Sequence, residues 1–449
     1  MERQLFHVKQ QGGGIHDTIF APATAAGKAG VAIIRLSGPS AGAALAALGA
    51  PDLVARRATY VRFRDPSTGE AIDAGLALWF PAPASFTGED VAELQLHGSQ
   101  AVTEATMRAL SRLPNCRMAQ PGEFTRRAFH NGKLDLTAVE GLADLVAAAT
   151  EAQRKQALRQ LDGELGRLYE SWRAALMRAL AHVEAAIDFP DEDLPADTGG
   201  EVATAVARTL EALEAHLRDG GRGERIREGI AVAIVGPPNA GKSTLLNALA
   251  QRDVAITSAI AGTTRDVLEV HLDLGGYPLI VADTAGLRSS DNPIEAEGIR
   301  RALRRAEAAD LRIAIYDIGK PEERRAIEGL CGQGTIVVAN KADLLAAPCA
   351  RDAIVLSVQT GRGMGELLER LRAEVAARYG GASAGPTRLR HRRALDECAE
   401  CLRRFDPAAP PELAAEDLRL AVRSLGRITG RVGVEDMLDI VFREFCIGK

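Results

Sequence analysis

Hydrophobic and polar positions alternate with different periods in successive parts of the chain. Between residue 17 and about residue 130, short apolar runs such as "GVAIIRLSG", "GLALWF" and "VAELQLHG" are separated by Gly- and Pro-rich turns, with one helical stretch near 101–113. Short apolar runs bounded by turn residues are typical of β-strands. The pattern therefore predicts a compact α+β domain in this part of the chain.

The apolar positions take up a helical period from about residue 137. Apolar side chains recur at steps of three and four from Leu158 to Ile187, which predicts a continuous apolar stripe on one long helix. The segment "DFPDED", which starts at Asp188, is expected to end this helix as a capped acidic turn rather than to bind a metal. Further helical runs are predicted over roughly 201–218 and, after the linker "GGASAGP", over about 387–445.

Strand-like and helix-like segments alternate between residues 229 and 379. The runs "IAVAIVG", "PLIVADTAG", "LRIAIYDI", "TIVVANKAD" and "AIVLSV" are short and rich in β-branched residues, which predicts a mainly parallel sheet with crossover helices. Helical segments flank this part on both sides. Because a helical pair cannot bury its apolar stripe alone, an α/β domain inserted into a discontinuous helical domain is favoured over two unrelated helical pieces.

These patterns predict a multidomain α/β protein. The predicted parts are a flexible extension (1–16), an N-terminal α+β domain (17–130), a first helical part (131–225), an inserted α/β domain (226–379) and a second helical part (380–449). At roughly 150 residues per domain, the length of 449 residues agrees with about three domains.

The formal net charge of −5 argues against a protein that coats nucleic acid through general basicity. RNA would have to be held by a local patch or shared with a partner. Two arginine-rich segments, which include Arg300, Arg301, Arg304 and Arg305 and the run Arg388–Arg393, are predicted to be solvated helix faces. The second segment is the candidate for a patch that faces tRNA.

The six cysteines are scattered along the chain and do not indicate a disulfide framework. "CAEC" at Cys398–Cys401 has no second ligand pair at zinc spacing, so two small residues on one helix face are favoured over a zinc site. No apolar run approaches the ~18 residues of a membrane span, and the opening segment lacks the order of a secretory signal. We therefore expect a cytoplasmic protein without a membrane span.

The segment "GPPNAGKS" (Gly236–Ser243) follows the apolar run "AVAIV" and precedes the helical run "TLLNALA". This is the phosphate-binding P-loop pattern in its required strand–loop–helix context. Backbone N–H groups of such a loop and of the helix N-terminus bind phosphates. Lys242 would supply a catalytic positive charge, and the hydroxyl of Ser243 would ligate Mg²⁺.

Further motifs follow in the order that a GTPase requires. Asp283 ends a predicted strand, where it would hold the outer shell of Mg²⁺, and the N–H of Gly286 could approach the γ-phosphate. In "NKAD" (Asn340–Asp343), the final carboxylate can accept both the N1–H and the exocyclic amine of guanine, a donor pair that adenine lacks. "SVQ" at Ser357–Gln359 fits the loop that reads the guanine oxygen.

The flexible segment "GTTRD" occupies the position of a first switch, where Thr264 could sense the γ-phosphate and ligate Mg²⁺. After "DTAG", where small switch GTPases carry a glutamine that orients the attacking water, this chain has Leu287. The predicted GTP-binding residues are Asn239, Ala240, Gly241, Lys242, Ser243, Thr244, Ser258, Ala259, Ile260, Ala261, Gly262, Thr263, Thr264, Asp283, Thr284, Ala285, Gly286, Asn340, Lys341, Ala342, Asp343, Ser357, Val358 and Gln359.

These motifs resemble bacterial GTPases in which a hydrophobic residue replaces the switch-two glutamine, and more narrowly the MnmE (TrmE) family of tRNA-modification GTPases. The resemblance runs from about Asp17 to Lys449 and includes "FTGEDVAELQLHG", "PGEFTRRAFHNGKLDL", "EAAIDFPDED", "GPPNAGKSTLLNAL", "DTAGLR" and "FCIGK". It implies an N-terminal α+β folate-binding-like domain, a discontinuous helical domain and an inserted Ras-like P-loop G domain.

The resemblance also implies a substitute for the missing glutamine. Asn239 would ligate K⁺ together with Ser258, Ile260 and Thr263 of the first switch, and Glu295 would polarise the attacking water. The family commonly has threonine where this chain has Ser258, which is still an oxygen donor. Two G domains would meet face to face to order both switches. Taken without the resemblance, Glu295 reads as a solvated residue of a polar loop.

Four residues match family positions that contact a 5-formyl- or 5,10-methylene-tetrahydrofolate: Arg35, Glu93, Lys133 and Lys449. An arginine suits a carboxylate of the folate tail, and a glutamate suits the donor-rich pterin edge. From composition alone, the first three residues read as surface charges or local ion pairs. The resemblance further implies that the N-terminal domain forms a homodimer.

Cys446 lies in the terminal "FCIGK". Its thiolate could add to C6 of a uridine and activate C5 towards a one-carbon unit. A small buried residue is the alternative, and from the sequence it is slightly favoured.

The family works with a partner, MnmG (GidA), that uses FAD and NADH. The implied function is K⁺-stimulated GTP hydrolysis within a heterotetramer that binds tRNA and installs a C5 (carboxymethyl)aminomethyl group on the wobble uridine. One alternative is a regulatory switch that carries out no modification. Another is a ribosome-assembly GTPase, which would be expected to carry a strongly basic RNA-binding domain.

Overall fold

The structure, a computed structural model, describes residues 17–188, 198–252, 254–256, 269–283, 309–346, 350, 352–381, 385–433, 438, 441–442, 445 and 448. The chain divides into two compact units, Met1–Ala143 with Gly430–Lys449, and Asp144–Thr429. The more finely drawn domain boundaries of the sequence analysis stay predictions.

The first unit is built on a six-stranded sheet. Its elements are β1 (Thr18–Pro22), β2 (Ala29–Ser37), α1 (Ala41–Ala47), β3 (Thr59–Arg64), β4 (Ala71–Phe80), β5 (Val91–Gly98), α2 (Gln100–Ser111), β6 (Cys116–Met118), α3 (Glu123–His130) and the start of α4 (Leu136–Ala147). The strand order is β3-β4-β5-β2-β1-β6, and all neighbours are antiparallel except β1 and β6. This agrees with the predicted α+β texture.

The hydrophobic core of the first unit lies on one face of this sheet. Ile34 and Leu36 of β2 are fully buried there with Leu110 of α2. Since successive side chains of a strand point to opposite faces, Arg35 lies on the other face, where it is in register with Glu93 of β5. The period of two in the sequence thus separates the core residues from the polar pair.

The second unit combines a helical part with a second sheet. Its elements are α5 (Glu151–Leu161), α6 (Glu164–Asp188), α7 (Thr198–Leu217), α8 (Arg222–Glu228), β7 (Ile230–Val235), α9 (Lys242–Ala250), β8 (Glu269–Leu274), β9 (Tyr277–Asp283), β10 (Leu311–Asp317), α10 (Pro321–Ala326), β11 (Thr335–Asn340), β12 (Ile354–Val355), α11 (Met364–Tyr379), α12 (Leu389–Arg404) and α13 (Pro411–Thr429). One hydrophobic cluster joins α6 and α7 to α12 and α13. It therefore combines helices that precede the second sheet in the sequence with helices that follow it.

The prediction of one long helix from Leu158 to Ile187 is wrong. α5 ends at Leu161 and α6 begins at Glu164, with Gly163 between them in a left-handed backbone conformation (φ 82°). A glycine adopts this conformation without the strain that a Cβ would cause. Because the apolar period continues across the break, the period alone could not reveal it.

The second sheet has the order β12-β11-β10-β7-β9-β8. All its neighbouring strands are parallel except β8 and β9, which form an antiparallel pair at one edge. The mainly parallel sheet was predicted, whereas β8 was not. In a parallel sheet the carboxyl ends of the strands meet at one edge, and ligands bind in the crevice outside that edge.

No helix in the described part of the chain combines the length and the apolar character that crossing a membrane requires.

Candidate nucleotide site

A cleft of about 530 Å³ opens beside the carboxyl ends of β7 and β11. The loop between β7 and α9 forms one wall, and the loops after β11 and β12 form the other. The lining residues are Pro238, Asn239, Gly241, Lys242, Ser243, Thr244, Asn340, Lys341, Asp343, Leu344, Val358 and Gln359. All of them except Pro238 and Leu344 belong to the predicted GTP-binding set.

The β7–α9 loop has a backbone that demands particular residues. A Cβ at Gly236 would lie 2.0 Å from the carbonyl oxygen of Ile315, so only glycine allows β7 and β10 to approach each other there. Asn239 has a left-handed backbone (φ 62°), as does Gly241 (φ 101°), which caps the N-terminus of α9. A glycine-rich loop that leads into a helix N-terminus is a phosphate-binding arrangement.

Lys242 is placed at the first residue of α9 and is buried. Its ammonium donates hydrogen bonds to the carbonyl oxygens of Gly236 (2.8 Å) and Pro237 (2.7 Å). These bonds hold the positive charge inside the loop. The charge and the N–H groups at the start of α9 favour an anion at the same place.

The structure brings Ser243 and Asp283 together from different elements. Ser243 Oγ, in the first turn of α9, donates a hydrogen bond to Asp283 Oδ2 at the end of β9. Asp283 is buried. A hydroxyl and a carboxylate are hard oxygen donors of the type that Mg²⁺ prefers, so this pair fits a magnesium ion held jointly with a phosphate.

Asn340 connects the two walls of the cleft. The Nδ2 group of this buried amide donates to the carbonyl oxygen of Ala240 in the phosphate loop (2.9 Å). Its Oδ1 atom accepts from the backbone N–H of Val358 (3.2 Å). One side chain therefore ties the phosphate loop to the segment predicted to read the base.

The carboxylate of Asp343 is oriented by the neighbouring loop. Ser357 is buried, and its hydroxyl donates to Asp343 Oδ1 (2.5 Å) and accepts from the N–H of Thr360 (3.2 Å). The N–H of Ala342 donates to the carbonyl oxygen of Leu356 (3.0 Å), which fixes the backbone beside the carboxylate. The predicted base-reading residues thus form one hydrogen-bonded group.

The sequence analysis did not identify Asp317, which lies behind this wall. Lys341 forms an ion pair with Asp317 at the end of β10, with 2.8 Å between Nζ and Oδ2. The available signal was a carboxylate directly after the apolar run "LRIAIY", where a strand of a parallel sheet reaches the edge that binds ligands.

Several predicted site residues lie outside the described residues. They are Ser258, Ala259, Ile260, Ala261, Gly262, Thr263, Thr264, Thr284, Ala285, Gly286, Glu295, Cys446 and Lys449. The roles predicted for them in binding K⁺, water, uridine and folate stay predictions.

The remaining predicted folate residues lie in the first unit. Arg35 and Glu93 bind each other across β2 and β5, with Arg35 Nε and Nη2 at 2.9 and 2.8 Å from Glu93 Oε1. Both side chains keep some exposure, and the Arg35 guanidinium lies 5.7 Å from the ring centre of Phe86. Lys133 is exposed, and its ammonium donates to the carbonyl oxygen of Pro83 (3.1 Å). The structure therefore shows Arg35 and Glu93 as a local ion pair, which is the interpretation that composition alone gave.

The arginine-rich segment at the start of α12 is not the solvated face that was predicted. Arg388 pairs with Asp144 (2.8 Å), and Arg392 pairs with Asp219 (2.9 Å) and Glu224 (3.3 Å). Carboxylates from distant parts of the chain thus neutralise these arginines, a contact that a single helical period cannot reveal. Arg388 and Arg392 are consequently poor candidates for residues that bind tRNA, whereas Arg393 is exposed.

Cys398 and Cys401 are both buried in α12, as expected for small residues on one helix face. Burial raises the pKa of the Cys398 thiol to about 12, which disfavours the thiolate that a zinc site needs. Within the described residues there is no group of three or more His, Cys, Asp or Glu side chains that could hold a metal ion.

We expect Gly241→Ala to weaken guanine-nucleotide binding by about fivefold or more, because the loop would leave its phosphate-binding conformation to relieve a strain of about 1–3 kcal/mol. The new Cβ would lie 2.3 Å from Asn340 Nδ2, which two hydrogen bonds hold in place. A titration with fluorescent GDP measures the affinity. Gly365→Ala is the control, since this helical glycine has no atom within 4 Å of a new Cβ. Native affinity in the Gly241 variant would contradict the expectation.

Comparison with known proteins agrees with this arrangement. The family model described as "MnmE helical domain" matches residues 136–446, and the model described as "GTP-binding protein TrmE N-terminus" matches residues 18–133. Proteins named tRNA modification GTPase MnmE from Parvibaculum lavamentivorans and Rhodospirillum rubrum are 57% and 54% identical; each match covers 96% of this chain and 100% and 99% of the relative.

A human mitochondrial protein, 5-taurinomethyluridine-tRNA synthase subunit GTPB3, is 48% identical over 96% of this chain and 93% of its own length. Among solved structures, the FeoB G domain of Methanococcus jannaschii is 27% identical and covers 32% of this chain and 97% of that one, with a TM-score of 0.24. The assignment therefore rests on the family models and the sequence relatives. The chain belongs to the MnmE family of tRNA modification GTPases.

Proposed function

We propose that this chain hydrolyses GTP in the cleft of the second sheet by a K⁺-dependent mechanism, and that hydrolysis serves the modification of the wobble uridine of certain tRNAs. The observation that carries the proposal is the bridge made by Asn340, which ties a phosphate loop containing Lys242 to a loop that presents Asp343. A cleft with a phosphate wall and a guanine-reading wall fits GTP.

Five described residues at the cleft have a chemical task in this proposal. The ammonium of Lys242 neutralises phosphate charge, and the N-terminus of α9 donates N–H groups to the same phosphates. Ser243 and Asp283 would hold Mg²⁺, which supplies charge neutralisation at the terminal phosphates. The carboxylate of Asp343, held by Ser357, accepts two hydrogen bonds from the guanine edge.

Leu287 has no side-chain donor or acceptor, so another group must orient the attacking water. We assign this task to Glu295. The charge that develops between the phosphates would be neutralised by K⁺, held by Asn239 with Ser258, Ile260 and Thr263. The left-handed backbone of Asn239 and its place in the wall of the cleft support this role.

The hydrolysis rate should rise in K⁺ well above its value in Na⁺ at equal ionic strength. Glu295→Ala should lose turnover by about a hundredfold or more, because a positioned carboxylate contributes that much to proton transfer, while fluorescent GDP still binds with native affinity. Glu366→Ala, which removes an exposed carboxylate at the start of α11, is the control. Equal rates in both salts, or full activity of the Glu295 variant, would contradict the mechanism.

A homodimer would bring two G domains face to face and order their switches. The sheet face of the first unit that carries Arg35 also exposes Tyr60 and Leu76, which are 69% and 37% accessible. An exposed apolar face of this kind is typical of an interaction site. These side chains support dimerisation through the first unit.

The folate proposal places a tetrahydrofolate one-carbon carrier at Arg35, Glu93, Lys133 and Lys449. Gly448 lies against the backbone of Pro22, since a Cβ there would be 2.0 Å from the Pro22 carbonyl oxygen. The residue before Pro22 is the register partner of Arg35. This proximity supports a folate site to which the neighbouring Lys449 contributes.

The proposed product is a C5 (carboxymethyl)aminomethyl uridine, made in the cytoplasm with an MnmG (GidA) partner that contributes FAD and NADH. The name of the human relative, which refers to 5-taurinomethyluridine in tRNA, supports a substituent on C5 of uridine. GTP hydrolysis would drive the opening and closing of the G domains within the complex.

Cells that lack the chain should lose the C5-modified wobble uridine, which mass spectrometry of digested tRNA measures directly. Expression of the native chain should restore the nucleoside, and expression of Lys242→Ala should not, because the proposal requires hydrolysis. An unchanged nucleoside profile in the deletion strain would favour a regulatory GTPase that carries out no modification.

A further inference from the structure

Lys341 occupies an unusual place in the wall of the cleft. It follows β11 directly, lines the cleft and has a left-handed backbone (φ 65°), which is uncommon for a residue with a side chain. Its side chain is 30% exposed, so its stem can cover an apolar surface such as the face of a base. The position of its ammonium therefore decides where this part of the wall lies.

Asp317 holds that ammonium from behind the wall. Asp317 is the last residue of β10 and is 7% exposed. It is not among the described residues that line the cleft. Its Oδ2 atom accepts from Lys341 Nζ (2.8 Å), and its Oδ1 atom accepts from the N–H of Gly319 (2.9 Å). Both carboxylate oxygens are thus engaged, which fixes the orientation of the group.

The backbone around the pair is fixed as well. Asp317 is in register with Asn340 across β10 and β11, and the N–H of Ile318 donates to the carbonyl oxygen of Asn340 (3.0 Å). The N–H of Asp317 donates to Glu323 Oε2 (3.0 Å). The backbone that carries the carboxylate is therefore fixed by hydrogen bonds, on the strand next to the one that ends at Asn340.

The charge of Asp317 is retained at neutral pH. Burial raises the pKa of this carboxyl, but the hydrogen bonds from Lys341 and from the N–H of Gly319 outweigh burial and hold the pKa below its usual value. A buried carboxylate is stable only when it is paired. The ion pair with Lys341 meets that requirement.

We propose that Asp317 is a positioning residue for guanine-nucleotide binding: it fixes the Lys341 side chain as the wall against which the guanine base packs. This inference rests on the proposal that the cleft binds GTP. Asp317 contacts no reacting atom, so it should affect the binding of GDP and GTP alike and leave the chemical step unchanged.

Asp317→Asn tests the proposal, because an amide cannot hold the ammonium as an ion pair. We expect about tenfold weaker binding of fluorescent GDP, because binding must then also order a Lys341 side chain that the ion pair no longer holds in place. In steady-state hydrolysis KM should rise by a similar factor, and kcat at saturating GTP should stay within about twofold. Native affinity for GDP in this variant would overturn the proposal.

Asp310→Asn is the matched control, at the opposite end of the same strand. Asp310 directly precedes β10, pairs with Arg225 (2.9 Å) and accepts from the N–H of Ala231 (2.9 Å). It therefore has an ion pair and a backbone hydrogen bond like those of Asp317, but it lies away from the cleft. Nucleotide affinity should be native in this control. An equal loss in both variants would show general loosening of the strand and would overturn the proposal.

A double variant covers the case in which Asp317→Asn does not fold. Asp317→Asn with Lys341→Met removes both charges and so leaves no buried charge unpaired. If Asp317 acts through Lys341, the double variant should bind GDP no more weakly than Lys341→Met alone. A further tenfold loss would mean that Asp317 acts on the site by another route, which would overturn the proposal.

The native chain separates this inference from the proposed function. Native binding of fluorescent GDP, with little binding of fluorescent ADP, supports the cleft as a guanine site whatever Asp317 does. Failure of the native chain to bind GDP would overturn the proposed function, and the inference with it. Native binding with an unaffected Asp317→Asn variant would overturn the inference alone.

Discussion

The candidate nucleotide site depends on one buried carboxamide. Asn340 donates to a carbonyl oxygen of the phosphate loop and accepts from an N–H of the loop after β12. Among side chains of this size, only an amide can donate and accept in this fixed geometry, and a carboxylate would repel the carbonyl oxygen. The bridge sets the distance between the wall formed by the β7–α9 loop and the wall that presents Asp343. Because the Asn340 side chain lies so close to the phosphate loop, Gly241 has no room for a side chain.

The sequence was sufficient for the parts of this site that local chemistry determines. The phosphate loop needs glycine where backbones approach closely, and the strands that lead into it are apolar and β-branched, so the pattern identified both. The parallel sheet then brings Lys242, Asp283 and Asp343, which belong to distant motifs, to one edge. Membership of the MnmE family was recognisable from the same stretches and is confirmed by the family models and relatives.

What the sequence did not reveal depends on contacts between distant segments. The arginines that begin α12 read as a solvated face, yet Asp144, Asp219 and Glu224 neutralise two of them from elsewhere in the chain. Asp317 was missed because its partner Lys341 is 24 residues away, directly after the next strand of the sheet. The break at Gly163 was missed because the apolar period passes through it. Each failure concerns pairing or backbone geometry, which residue type and spacing do not specify.

The contacts between the second sheet and the helical part bear on how GTP hydrolysis would move the helices. In the described part of the chain, the second sheet and the helical part have separate hydrophobic clusters. Hydrogen bonds and ion pairs connect them, such as the N–H of Ala152 to the carbonyl oxygen of Gly276 (2.8 Å) and Arg225 to Asp310 (2.9 Å). Interfaces with a polar character are typical of parts that move relative to each other. This fits the proposed opening and closing of the G domains.

The base preference of Asp343→Asn tests the central claim most directly. Xanthine carries a carbonyl where guanine carries the exocyclic amine, so an amide at this position should donate to that carbonyl of xanthine and can no longer accept both hydrogen bonds from guanine. The account predicts that the variant loses GDP affinity and gains affinity for xanthosine diphosphate in the same titration. A variant that binds GDP as tightly as the native chain and ignores xanthosine diphosphate would show that this carboxylate does not read the base.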